Sequence, residues 1–424
     1  MQKIKNDNLI VFVCFFFLGV LISCPLYAVE KNPNLIPFGE EEAFLGNAGI
    51  ALETSTGATY YNPGALAFIP NRKVSVYGNA YNFNSVSVDS VGRINGVDIP
   101  TKSSSFSPIP SGSVTVFGNE KWMYAFSVYV PYSAQYDIQI TVNTPAVNVN
   151  EILSNSSQSL WLGPSIAHKV NENFSVGLSW FITRYFESTN VMLYSATPSP
   201  NAVGSYAFRS KISSWDTLFI LGGYWKVSES SSIGLRLQPP SIDVRGRSDF
   251  FTNTLSANAT QQTSFIVDEK DIYSRKKMGA NIGVGWRHFI SPRTEILCDV
   301  NAQFPLHYQV SPSRPRFSTT VNTRFMPRLN LGTKWQFHPA VKLLGGLLWN
   351  PSTVRPKDTV DGLDRENFKG ITLGLQREAG VLTTSAGGFF LWSSGEAVIV
   401  NSGGATSKVS HQLYGLILTA SYKL

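Results

Sequence analysis

The chain is short of charge. Asp, Glu, Lys and Arg make up 15% of its 424 residues, well below the roughly 25% of soluble domains, which argues against an ordinary cytosolic protein. Long apolar runs are missing too. Beyond residues 9–22 there is no second one, and mean hydropathy is −0.02, so a helical membrane protein is excluded as well. Cysteine is confined to Cys14, Cys24 and Cys298. Loss of the N-terminus would leave one thiol, with no intramolecular disulfide and no cysteine-based zinc cage. The histidines His168, His288, His307, His338 and His411 all fall near the ends of expected strands. None joins a serine or aspartate in a catalytic motif, so neither an enzyme nor a cofactor is expected. The net charge of +7 comes from dispersed Lys and Arg, and no basic run interleaved with aromatics points to nucleic acid.

The first 28 residues read as a secretory signal: Lys3 and Lys5, the apolar run 9–22, then Pro25-Leu26-Tyr27-Ala28. That run is too short for a spanning helix, which needs about 20 residues, and cleavage after Ala28 is expected. Leu21-Ile22-Ser23-Cys24 also fits a lipoprotein box. Pro25 directly after the cysteine favours ordinary cleavage.

Low charge, neutral hydropathy, 12% aromatics and 34 glycines suit a transmembrane β-barrel, whose strands alternate lipid-facing apolar with lumen-facing polar residues. Alternation marks fourteen candidate strands: 73–88, 111–117, 122–131, 158–170, 174–186, 212–226, 232–247, 274–289, 294–307, 325–338, 341–353, 367–378, 382–393 and 408–424. The clearest opposes Leu329, Leu331, Thr333, Trp335 and Phe337 to Arg328, Asn330, Gly332, Lys334 and Gln336. In 278–287 the wet face carries Gly279, Asn281, Gly283, Gly285 and Arg287. In 295–304 Cys298 falls on the lipid face, and Leu297 breaks the pattern. Connections alternate long and short from 89–110 onward, as expected of long external loops and short periplasmic turns. An even strand count then leaves both ends in the periplasm. The nine tryptophans, Trp161 among them, are spread through the strands, which suits aromatic girdles at the membrane interfaces. The last strand places Tyr414, Leu416, Leu418, Ala420, Tyr422 and Leu424 on one face.

One stretch has no strand pattern. Residues 45–68, LGNAGIALETSTGATYYNPGALAF, have no sustained period and cannot form a core alone, so they read as something the barrel encloses. Gly46-Asn47-Ala48-Gly49-Ile50-Ala51, the pair Tyr60-Tyr61 and Asn62-Pro63-Gly64 resemble the N-terminal hatch signature of the FadL/TodX family of outer-membrane transporters. Gly64 stands where that family usually has Ala, which allows a looser turn. Trp122 to Tyr132 with Ser133 is similar to the family's third strand and its Pro-aromatic-Gly end, and Gly163 to Leu178 to its fourth and fifth strands.

The expected fold is an all-β, 14-stranded antiparallel barrel over residues 71–424, with a hatch formed by residues 29–70 in its lumen. The resemblance implies passive uptake of long-chain fatty acids or other hydrophobic compounds, with gating by the hatch and lateral exit through the wall. Gly46, Gly49, Asn62, Pro63 and Gly64 are the hatch candidates; Pro63 fixes φ and Asn62 can bond neighbouring backbone. For a carboxylate ligand, Arg287, Arg328 and Lys334 have luminal parity, with acid-paired structural charge as the alternative. Residues 186–208 and 250–266 are long, partly apolar loops that either capture ligand or cover the barrel mouth. Asp358, Asp361, Asp364 and Glu366 suggest a Ca²⁺ site, but interleaved Arg355, Lys357 and Arg365 favour a solvated loop. The expected partners are a hydrophobic ligand and outer-membrane lipid, with the protein a monomer. A general porin, a surface adhesin-like barrel and an outer-membrane lipid hydrolase are the alternatives.

Overall fold

The computed structural model describes residue 32 and residues 34–424, apart from 70–71, 95–96, 108–110, 144–147, 198–201, 258–260, 315–319, 355–364 and 399–405. The secretory signal, with Cys14 and Cys24, lies outside the described residues, as do Asp358, Asp361 and Asp364.

A 17-stranded antiparallel sheet closes on itself. β1 (Lys73–Ile94) pairs with β19 (Thr406–Lys423) from Lys73↔Lys423 to Val88↔Val409. Three positions in the wall are each shared by two strands end to end. β2 (Val97–Ser107) and β3 (Ser111–Gly118) both pair with β1. β8 (Ser231–Gln238) and β9 (Ile242–Ala257) both pair with β7 (Ala202–Lys226). β10 (Gln262–Tyr273) and β11 (Asn281–Ser291) pair with β9 and β8. The remaining wall strands are β4 (Trp122–Asn143), β5 (Asn148–Lys169), β6 (Phe174–Thr197), β12 (Thr294–Gln303), β15 (Met326–His338), β16 (Val341–Asn350), β17 (Arg365–Ala379) and β18 (Leu382–Val398). The wall is thus fourteen strands around. β13 (His307–Gln309) and β14 (Thr320–Asn322) form a separate two-stranded sheet.

The barrel is apolar outside and polar inside. On β15, Leu329, Leu331, Trp335 and Phe337 are exposed while Arg328, Asn330 and Lys334 are buried, an inversion that only a lipid solvent stabilises. The C-terminal strand likewise exposes Tyr414, Leu416, Leu418, Tyr422 and Leu424. Cys298 shares outward parity with Val300 and is half-buried.

Four expectations need correction. The segments 132–157, 187–211 and 248–273 are for the most part not loops: β4 to β7, β9 and β10 continue through them, and β6 alone runs 24 residues. At ~3.3 Å per residue that is about 80 Å of strand, far more than a membrane requires. Above the membrane the outer face meets water instead of lipid, so the outward residues need no longer be apolar and the hydrophobic alternation fades from the sequence. The backbone ladder persists and the inner face stays buried, with Val149, Val191, Leu193 and Tyr206 packed together. The expected capture loops 186–208 and 250–266 are therefore largely the arms of strand hairpins. In 274–289, only Asn281 onward is strand. Residues 274–280 make only scattered backbone bonds, such as Arg275 N to Val310 O at 2.9 Å, and side chains supply others, with Ser214 Oγ accepting from Lys276 N at 3.2 Å and Ser241 Oγ from Met278 N at 2.9 Å. Trp161 is no girdle residue. It is 5% exposed and faces the lumen, whereas the other eight tryptophans are exposed. Its flanks, Leu160 and Leu162, face outward, and an apolar trio hides which parity is the inner one.

Candidate functional site: the segment inside the barrel

Residues 34–69 pack against the inner face of the wall, and most of them are buried. They carry a 3₁₀ turn (Glu42–Phe44), the short helix α1 (Ala58–Tyr61) and a 3₁₀ segment (Pro63–Phe68). Two apolar clusters join them to the wall. Phe38, Tyr60, Tyr61 and Leu66 pack with Tyr77, Tyr129, Trp161, Phe181 and Tyr224. Phe44, Leu45 and Leu52 pack with Leu344, Phe368, Leu413 and Leu297, so the residue that breaks the alternation of β12 does so to meet the inner segment.

Asn62-Pro63-Gly64 forms a stitch. Asn62 is fully buried and caps the 3₁₀ segment, its Oδ1 accepting from Gly64 N at 3.0 Å, with Pro63 at the first position. Proline suits that place because its missing N–H would have no partner there. Asn62 Nδ2 donates to Ile50 O at 2.7 Å, within the segment, and to Gly223 O at 2.9 Å, in β7. One side chain thereby ties two turns of the segment to each other and to the wall. The wall opposite is glycine: a Cβ on Gly64 would sit 3.0 Å from the Gly222 backbone, and one on Gly222 would collide with Asn62 Oδ1. The turn is seated tightly rather than loosely, and the absence of side chains on both sides permits it.

The Gly46–Ile50 stretch is held the same way. Gly46 adopts φ +62°, and any Cβ there would meet the Leu347 carbonyl, so both backbone and space demand glycine. Its N–H donates to Thr372 Oγ1 at 3.0 Å. The N–H groups of Gly49 and Ile50 both donate to Asp299 Oδ2, at 2.7 and 2.9 Å. The room left by the luminal glycines Gly283 and Gly285 is taken by Ile50.

Charge completes the attachment. Arg287 bridges Glu53 of the segment and Glu295 of β12. Lys334 bridges Glu41 of the segment at 2.7 Å and the same Glu295 at 2.6 Å. Lys73 holds Glu40 at 2.5 Å. Arg287 and Lys334 are thus engaged by the chain's own carboxylates, three of them on or facing the inner segment. Arg328 has another setting. With Arg236, Tyr60, Tyr61, Asn34 and Asn47 it lines a buried cavity of about 20 Å³, room for roughly one water.

Two acidic groups of the segment differ in kind. Burial disfavours the charged form of both. For Glu41, Lys334 and Lys73 outweigh that and hold its carboxyl well below the usual range. Glu42 has no such partner: burial pushes it up to about 7, with Glu41 and Glu40 adding repulsion, although Ser55 Oγ donates to it at 2.8 Å.

Three members of this interface are not recognisable from sequence. Asp299, Arg236 and Glu295 stand at luminal positions whose alternation is visible, but nothing in one strand names the distant backbone or side chain each will meet. Tyr129, against Phe38 and Tyr60, belongs to the stretch 122–132 yet was indistinguishable from a girdle aromatic.

A closed, lipid-facing barrel with short turns at one end, tall hairpins at the other and a folded segment in its lumen has the architecture of an outer-membrane β-barrel. A family model described as outer membrane protein transport protein (OMPP1/FadL/TodX) matches residues 38–286, and the chain belongs to that family. In fold it is similar to a Pseudomonas aeruginosa FadL homologue, with a TM-score of 0.64 and 14% identity over 91% of this chain and 98% of the other. The Pseudomonas putida toluene transporter TodX gives a TM-score of 0.62 at 12% identity over 91% and 98%. The Ralstonia pickettii toluene transporter TbuX gives 0.58 at 14% identity over 92% and 99%. No curated protein sequence matches the chain.

Proposed function

We propose that this protein carries hydrophobic molecules, of the long-chain fatty acid or aromatic hydrocarbon type, passively across the outer membrane, and that residues 29–70 act as its hatch. One observation carries the reading: the lumen is occupied by a segment fastened through hydrogen bonds and ion pairs rather than left as a water-filled pore. Such contacts exchange readily for water, whereas an apolar solute gains about 25 cal/mol per Å² by leaving it. Gly46, Gly49, Asn62, Pro63 and Gly64 are the residues on which the seated hatch turns. A route through the wall is supported beside β4, where the register shifts between Tyr129 and Tyr132 and Pro131 has no N–H for the ladder. Arg287, Arg328 and Lys334 are the basic positions proposed for a ligand carboxylate: Arg328 lines the small cavity with Arg236, and Arg287 and Lys334 would have to exchange carboxylates of the chain for the ligand's.

The test is uptake of labelled long-chain fatty acid and of labelled toluene by cells lacking their own transporter, with and without this protein. Uptake of either above background supports the reading and identifies the class. A large, steady single-channel conductance unaffected by deleting residues 29–70 would refute it in favour of a porin.

A further inference from the structure

The outer wall carries a basic row at the upper edge of its lipid-facing band. On β7, Trp215 stands in register with Arg184 of β6 on one side and Arg245 of β9 on the other. All three side chains are exposed and share outward parity, and the Arg184 guanidinium lies over the Trp215 ring, 5.3 Å from its centroid. Below this row the same faces are apolar, with Trp180, Ile182 and Leu221 exposed and Trp180 stacked on Phe219. Above it the outward residues turn mostly polar: Phe186, Ser213 and Arg247 share the next outward row, and Ser188, Lys211 and Asp249 the one after. This is the hairpin end of the barrel, which faces outward from the cell. Trp215 therefore sits at headgroup level.

Nearby carboxylates do not neutralise the row. Asp271 takes Arg247 at 2.9 Å, and Asp243 takes Lys277 at 3.2 Å and Arg275 at 3.7 Å. Arg184 and Arg245 form no ion pair among the described residues. With strands ~4.8 Å apart, their backbones are roughly 10 Å from each other. Two long side chains at that spacing can close on one phosphate from either side of the ring, and guanidinium groups bind phosphate through paired hydrogen bonds.

We propose that Arg184, Trp215 and Arg245 form a binding site for the phosphate of an outer-leaflet glycolipid. Its acyl chains lie along the apolar face of Trp180, Ile182 and Leu221, and its phosphorylated sugar rests on Trp215 between the two arginines. A soluble phosphate would lack the apolar half of this surface, so the occupant is the lipid.

The full-length barrel in detergent, titrated in native mass spectrometry with bis-phosphorylated lipid A, tests this. Wild type should retain lipid A at least tenfold better than its dephosphorylated form. The R184Q/R245Q variant should lose at least tenfold, R184K/R245K should lose less, and R377Q, at the short-turn end, should match wild type. Heat-modifiable migration checks that each variant is folded. Equal retention of both lipids by wild type, undiminished retention by R184Q/R245Q, or full displacement by millimolar inorganic phosphate would each overturn the proposal.

Discussion

Replacing Asn62 by Ala should loosen the inner segment without opening the barrel. Three hydrogen bonds disappear: Nδ2 to Ile50 O, Nδ2 to Gly223 O, and Gly64 N to Oδ1. Each is worth about 1 kcal/mol net, somewhat more where a buried partner is left unsatisfied. Not all of that acts on seating. The Gly223 bond crosses directly to the wall, and the cap and the Ile50 bond preserve the shape that fits it, so about 2–3 kcal/mol should favour the unseated state. That is roughly a 30- to 150-fold gain in its population. The readout is hydrogen exchange of peptides spanning residues 45–68 in the detergent-solubilised barrel, beside peptides from β17 and β18. Exchange should accelerate by that factor in the inner segment and stay unchanged in the strands. Protection of 45–68 within about twofold of wild type would mean that Asn62 is a bystander.

Three further outcomes are expected. Glu42 titrates from about 7 when seated, against the ordinary 4.5 when released. The seated form therefore holds its proton more tightly, is fully stable below about pH 4.5, loses stability as pH rises to 7 and levels off above it. The difference is on the order of 3 kcal/mol. Wild-type protection of 45–68, corrected for the intrinsic pH dependence of amide exchange, should thus fall between pH 5 and 8, and Glu42→Gln should flatten that profile; a parallel profile in the variant would contradict the assignment. Glu41 acts with the opposite sign, but only as pH falls below its usual range, outside that window. Arg287→Met leaves Glu53 without this partner and Glu295 with Lys334 alone, a buried imbalance costing about 3 kcal/mol or more; a fall of less than about 1 kcal/mol in urea titration would count against the bridge. Gly222→Leu puts a side chain where Asn62 and Pro63 sit, so residues 45–68 should become protease-sensitive in a barrel that still migrates as folded; continued resistance would show that the wall yields.

Much of this protein can be read from one sequence because a membrane strand has two solvents. Each residue of β15 or β19 faces either lipid or the lumen, so period-two alternation encodes burial directly, and fourteen wall positions followed from it. The signal weakens where the solvents become alike. In the hairpin arms the outer face meets water and both faces take polar residues, so β6 and β7 continue unseen; in Leu160-Trp161-Leu162 all three residues are apolar, and the inward ring is hidden among them. The segment at 45–68 was marked by having no period, and its glycines and Asn62-Pro63 were legible because a tight turn restricts residue type locally.

What it meets was not legible. Asp299 clamps Gly49 and Ile50 from 249–250 residues away, and Gly223 receives Asn62 across 161. Arg287 and Lys334 had the parity of a ligand site, and only the closed barrel brings Glu41, Glu53 and Glu295 against them. The basic row at Trp215 depends likewise on the registers of β6, β7 and β9. Where lipid lies on one side and the lumen on the other, sequence determined which way a side chain points, because that depends on local alternation and solvent. Tertiary structure alone decided which side chains meet, because barrel closure joins groups whose separation along the chain carries no local trace.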